Sequence, residues 1–160
     1  MADPNSIHFG TRLLSETTWW FLSALMAIAI LYPIYHFGVP YQYWLPNAIF
    51  IFGFFVYMRW IFLWKYTPYA WWIVYKGILS FLMIFVFFWG IHQFSQFKDF
   101  VNEIGIQEIL QEVPTGEQLP LALYIQNQMT FFATAFLICT VAIPFRMLRS
   151  IWMQVNREKV

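Results

Sequence analysis

The sequence predicts an all-α integral membrane protein, a four-helix bundle with an amphipathic helical loop on its non-cytoplasmic side. Three observations carry that prediction. Four apolar runs lie near 17–37, 44–64, 71–91 and 121–145; 61% of the residues are apolar and only 11% charged; and Lys and Arg gather on one side of the runs. At about 1.5 Å rise per residue, runs of about 20 residues match the ~30 Å hydrocarbon core of a bilayer. About a quarter of the residues in a soluble domain are charged, which sets this chain outside that class. The second and third runs stand back to back around a charged turn at Lys65, and no soluble segment in the sequence is large enough to cover both. Residues 1–160 read as one transmembrane domain without an internal repeat.

The first run is bracketed by Trp19 and Trp20 at one end and by Tyr32 and Tyr35 at the other, amphipathic rings suited to headgroup depth. It is too long for the apolar core of a cleavable signal, and Asp3 and Glu16 precede it, so it reads as the first span. Residues 1–16 read as a polar arm: an interfacial tether, or else an amphipathic helix lying on the membrane or folded into a pore. Ser23 and Ala27 stand four apart beside Ala24, a small-residue patch that lets another helix approach closely. Gly38-Val39-Pro40 then turns the chain.

In the second run Arg59 lies about one and a half turns from the closing end, and in the third Lys76 lies at a matching depth. Both stems are long enough to snorkel, so both charges are expected at the headgroups, the alternative being a buried functional cation. Glu16 is the acid on that side placed to pair with either.

Composition changes over 92–120, where Lys98 stands among Asp99, Glu103, Glu108, Glu112 and Glu117. Phe97, Phe100, Val101 and Ile104 follow helical spacing, as do Ile106, Ile109, Leu110 and Val113, but the two stripes differ in phase. The spacing predicts two short amphipathic helices with a break at Gly105, and Pro114-Thr115-Gly116 ends the second. The fourth run opens with polar residues. Asn127, Thr130 and Thr134 form one stripe, expected to face another helix, a neighbouring subunit or a wet path, because lipid cannot satisfy amides.

Four spans put both termini and the Lys65 turn on one side, with Arg12, Arg59, Lys65, Lys76, Arg146, Arg149, Arg157 and Lys159. The other side carries only Lys98 and an acidic loop. Basic residues concentrate on the cytoplasmic side, so both termini are expected there. Arg59, Lys65, Lys76, Arg146 and Arg149 are the candidates for anionic lipid.

Chemistry is sparse. The interiors of the spans hold no Asp or Glu, which argues against a proton- or cation-coupled transporter. There is no phosphate-binding loop and no HExxH pattern, and the one cysteine, Cys139, can form no internal disulfide. No catalytic or metal-binding residue is nominated, and nothing points to nucleic acid. The expected function is non-enzymatic and cofactor-free, acting through assembly with itself or with other membrane subunits, using Ser23 and Ala27 or Asn127, Thr130 and Thr134. Two alternatives are an oligomeric channel lined by that last stripe, and a b-type haem electron carrier. In the latter His36 and His92, which close the first and third spans near one membrane surface, would ligate the iron. Histidine at an interfacial helix end is also ordinary.

Overall fold

A computed structural model describes residues 4–70 and 72–157. Its four long helices are α1 (Pro4–His36), α2 (Trp44–Leu63), α3 (Ile73–Glu103) and α4 (Thr115–Arg157). Each contains a stretch long and apolar enough to cross a membrane. The protein is a polytopic all-α membrane protein, and the surface explains why it needs lipid. Phe21, Leu25, Phe81, Phe85, Phe88 and Phe145 are exposed on its outer faces. An apolar surface of that extent is stable only where hydrocarbon covers it.

Helix ends follow local chemistry. α1 closes in a Schellman motif: Val39 N–H reaches the Ile34 carbonyl at 3.4 Å and Gly38 N–H the Tyr35 carbonyl at 3.0 Å. Gly38 takes the left-handed conformation this requires, φ +62°, and Ile34 packs in the core with Val39. α2 passes into a single 3-10 turn, Trp64–Tyr66, which Thr67 fastens by donating its hydroxyl to the Trp64 carbonyl at 2.8 Å. α3 ends before Gly105, φ +87°, where the Ile104 and Gly105 N–H groups both close on the Phe100 carbonyl. The break expected at Gly105 is therefore present.

The pieces on either side of Gly105 differ from expectation. The first amphipathic stripe is the end of α3 itself, which runs on past the apolar span; the second is a short 3-10 helix, Ile106–Leu110. Phe97, Phe100, Ile106, Leu110 and Val113 all bury against the bundle. Two other boundaries move. The arm over 1–16 is no separate tether, because α1 is already helical from Pro4; Asp3 lies outside the described residues. α4 starts at Thr115, where the sequence suggested a helix end, and continues through Pro144 to Arg157; Lys159 lies outside the described residues.

The main rearrangement is lateral. α2 and α3 scarcely touch, although they are consecutive, because α4 lies between them; α1 packs chiefly on α2 and meets α4 where the Tyr124 hydroxyl donates to the Ile30 carbonyl at 2.6 Å. The side chains show why α4 fits. Cβ atoms added at Gly53 (α2) and Gly90 (α3) would stand 2.4 Å from Phe136 and 2.9 Å from Leu137. Both glycines thus admit α4 at close range. Phe136 fills the space between, stacked on Tyr57 and tilted against Phe50, each at 5.2 Å.

Cross-contacts give the directions. Phe54 meets Phe131 and Phe132, and Ile61 meets Arg146, so α2 and α4 run the same way. Gly90 beside Leu137 and Lys76 bonded to Gln154 make α3 antiparallel to α4; Glu16 on Arg59 and Trp19 on Phe55 make α1 antiparallel to α2. One end of the bundle therefore collects Arg59, Lys65, Lys76 and Arg146, and the other Asp99, Glu103, Glu108 and Glu117.

Candidate functional site

The basic end is built on an ion pair. Glu16, 2% exposed on α1, receives Arg59 Nε from α2 on its Oε2 at 2.9 Å; Arg59 is 7% exposed. The carboxylate's other oxygen accepts the indole N–H of Trp60 at 2.8 Å and that of Trp20 at 3.2 Å. Arg59 also donates from Nη2 to Ser15 Oγ at 2.8 Å, and its guanidinium lies over the Trp19 ring at 5.6 Å. Two indoles and a guanidinium replace the water that a carboxylate at this depth would lose, which makes its burial tolerable. Arg59 thus turns inward, to a partner on the neighbouring helix.

Lys76 departs from expectation in the same way. It is 1% exposed and donates from Nζ to Gln154 Oε1 of α4 at 2.9 Å. α4 reaches it because that helix continues well beyond its apolar run. Arg146, half-buried, donates from Nε to the Ile61 carbonyl at 3.1 Å in the last turn of α2, where backbone acceptors lack intrahelical donors. Lys65 is exposed with Nζ 4.7 Å above the Tyr66 ring, and Arg149 is exposed. Beside the ion pair opens a pocket of about 380 Å³ lined by Thr11, Arg12, Ser15, Arg59, Leu63 and Tyr66.

At the acidic end Tyr43 donates its hydroxyl to the Gln96 carbonyl at 3.0 Å, in a pocket of about 490 Å³ with Gln93, Asp99 and Glu103. Burial first, and Asp99 second, push the Tyr43 phenol above its ordinary pKa. Tyr41 is fully enclosed, accepting from Asn47 Nδ2 at 3.2 Å, and burial pushes its phenol well above the usual range.

The remaining sequence candidates divide by face. Ser23 and Ala27 are buried in the bundle, where α1 packs chiefly on α2. His36 and His92 are both exposed, on helices that pack on α2 and α4 rather than on each other; His36 stacks on Tyr32 at 5.7 Å. No group of three or more His, Cys, Asp or Glu among the described residues could hold a metal. Asn127, Thr130 and Thr134 share one face, as their spacing implies, but it is the outer one: all three are exposed. They do not face a helix of their own subunit. The amide that does turn inward is the next residue, Gln128, 8% exposed, with neither side-chain atom hydrogen-bonded among the described residues.

Sequence reasoning noted Glu16 as a possible partner but missed the indoles of Trp20 and Trp60 that complete its shell. The i, i+4 spacing of Glu16 and Trp20 was the available signal. Gln154 and Gln128 gave none, since a lone amide does not announce its direction. No family model, characterised protein or solved structure matches this chain.

Proposed function

We propose that this chain is a non-enzymatic membrane subunit that works by assembly, joining copies of itself or another membrane protein through the outer face of α4. The observation that carries this reading is the stripe Asn127–Thr130–Thr134. It lies on a membrane-spanning helix, exposed, and its side chains have no hydrogen-bond partner among the described residues. An amide and hydroxyls turned to hydrocarbon are costly alone and become adhesive once a second helix supplies donors and acceptors. The alternative small-residue surface is already spent inside the bundle. The segregation of bases to the Arg59–Lys65–Arg146 end supports an orientation with that end, and both termini, in the cytoplasm, and the helical excursion around Gly105 on the opposite side.

A second reading shares the same observation. Copies arranged in a ring with α4 inward would surround an axis with Asn127, Thr130 and Thr134, which is the wall of a polar pore. Single cysteines at Thr130 and Thr134, in a background with Cys139 replaced by Ala, test both. Assembly between copies predicts spontaneous cross-linked dimers and a mass above one chain in nanodiscs. A monomeric mass without cross-links from native membranes removes self-assembly, and co-purifying partners captured through the same positions then distinguish the mixed complex. Conductance in planar bilayers separates pore from scaffold.

A further inference from the structure

We infer that the pocket between the start of α2 and the end of α3 binds an organic ammonium ion, a short aliphatic diamine or polyamine taken from the aqueous phase. Its volume of about 490 Å³ falls within the range of small-molecule sites. Tyr43 is the fixed element. α2 and α3 scarcely touch, and this side chain bridges them. Its hydroxyl donates to the Gln96 carbonyl at 3.0 Å, and its ring meets those of Phe97 and Phe100 at 5.4 and 5.5 Å. The cleft therefore has one pinned aromatic wall, with Pro46 beside it.

The opposite wall, from α3, carries Gln93, Gln96, Asp99 and Glu103. Asp99 and Glu103 stand four apart, a spacing that brings side chains together on one helix face. Both are exposed, and neither has an ion pair or a hydrogen bond among the described residues. No base lines the pocket. Lys98 is next in sequence but faces away. At about 100° per residue it falls nearly opposite Gln96 and Glu103 on the helix, and its ammonium lies 5.8 Å from the Phe94 ring on that other face. Asp99 acts on the pinned wall, since its charge adds to burial in raising the Tyr43 phenol above its ordinary pKa.

The rest of the lining selects the kind of cation. No group of three or more His, Cys, Asp or Glu among the described residues could hold a metal, and the volume is far larger than a bare ion needs. An alkylammonium uses both parts of the site. Its N–H groups meet the carboxylates and the carbonyl oxygens of the Gln93 and Gln96 amides, while aromatic faces attract the charge and Pro46, Phe100 and Ile104 receive the methylenes. Two carboxylates favour a ligand with more than one ammonium. A zwitterionic lipid headgroup fits poorly, because it would bring a phosphate beside two carboxylates with no base to hold it. Depth agrees with an aqueous source. Gln42 and Tyr43 precede α2, and the exposed large apolar residues of α3 end at Ile91, before the pocket begins.

The test is calorimetric titration of spermidine into the full chain in phosphatidylcholine nanodiscs at low ionic strength. One saturable site is expected. Asp99→Asn and Glu103→Gln should each raise Kd about tenfold, the loss of one charge-assisted contact. Glu112→Gln, an exposed carboxylate of the same end outside the lining, should leave it unchanged. Gln93→Trp fills the cavity without altering its charge and should abolish binding; if that variant does not fold, the contrast between the Asp99 and Glu103 variants and the Glu112 variant decides. No saturable binding, equal weakening in the Glu112 variant, or unchanged binding in folded Gln93→Trp would overturn the proposal. So would displacement of spermidine by equimolar magnesium, which would assign the site to any cation. Loss of spermidine binding when phosphatidylethanolamine replaces part of the phosphatidylcholine would assign it to a lipid headgroup and overturn it as well.

Discussion

Glu16 and Arg59 meet at 2.9 Å across the α1–α2 contact, each nearly excluded from solvent, with the indoles of Trp20 and Trp60 completing the carboxylate's shell. Removing one member leaves the other buried without its counter-charge, a change that costs about 3–5 kcal/mol for a buried pair. Arg59→Met and Glu16→Gln should therefore each lower stability strongly in detergent unfolding experiments. The double variant should recover much of the loss, since an uncharged pair leaves no orphan ion. Additive losses in the double variant would mean that the pair is not coupled.

The glycine seam makes a graded prediction. A Cβ at Gly53 would stand 2.4 Å from a ring carbon of Phe136, and one at Gly90 would stand 2.9 Å from a terminal methyl of Leu137. A ring wedged between Tyr57 and Phe50 cannot yield, whereas a leucine methyl can rotate away. Gly53→Ala should cost about 1–3 kcal/mol by overpacking, and Gly90→Ala distinctly less. Phe136→Leu should relieve the first and, because the Gly90 Cβ would also stand 3.3 Å from a Phe136 ring carbon, the second only in part. Thermal denaturation of the wild type, the three single variants and the two variants that combine Phe136→Leu with either glycine change would decide it.

Alkaline titration reports on Tyr41. Burial raises its folded-state pKa well above that of an unfolded tyrosine, so the fold favours the neutral phenol. Stability from this group is fully present below the unfolded value of about 10 and is lost as the pH climbs through the folded one. Tyr41→Phe should remove a late phase from the phenolate absorbance titration. It should also flatten the fall in melting temperature above about pH 10.

Orientation can be read with impermeant thiol reagents on intact cells expressing variants in which Cys139 is replaced by Ala. A cysteine at Lys65 should be protected, and cysteines at Gln107 and Glu117 should label. Those positions lie at opposite ends of the bundle, one after α2 and the others between the end of α3 and the start of α4. The reverse pattern would overturn the assignment of the basic end to the cytoplasm.

What could be read from the sequence was position along the membrane normal. Length, apolarity and the placement of bases give depth and end, and a glycine between two out-of-phase stripes gives the break at Gly105. Azimuth was mostly hidden. A helix such as α2, apolar on nearly every side, carries no signal for which neighbour it meets, so the insertion of α4 between α2 and α3 could not be foreseen. Glycines at 53 and 90 mark close approach only once Phe136 and Leu137 are known to stand opposite. The same limit explains Arg59 and Lys76. Their depth was visible, but the choice between snorkelling outward and pairing inward depends on Glu16 and Gln154 lying across a helix contact. Spacing put Asn127, Thr130 and Thr134 on one face of a helix without saying whether that face is external.

Asn127 and Gln128 are neighbours with opposite fates, and the contrast isolates assembly from folding. Gln128 is enclosed by its own bundle with both amide atoms unpaired among the described residues, and a buried amide in that state forfeits about 1–3 kcal/mol of hydration. Gln128→Met keeps the shape and removes the polar atoms, so the monomeric fold should be as stable or more stable. Asn127 is exposed, and Asn127→Leu replaces a polar group facing lipid with an apolar one, so the isolated bundle should again lose nothing. The two substitutions should part company in the assembled state. Interhelical polar contacts are worth about 0.6 kcal/mol on average and seldom exceed ~2, so Asn127→Leu should weaken association by a few-fold, and the combined change at Asn127, Thr130 and Thr134 by more. Gln128→Met should leave association untouched, because Gln128 does not reach the outer surface. Dilution of fluorescently labelled protein into lipid, followed by single-molecule photobleaching, measures both. Equal oligomer distributions for the wild type and the triple variant would show that the stripe contacts no second copy of this chain.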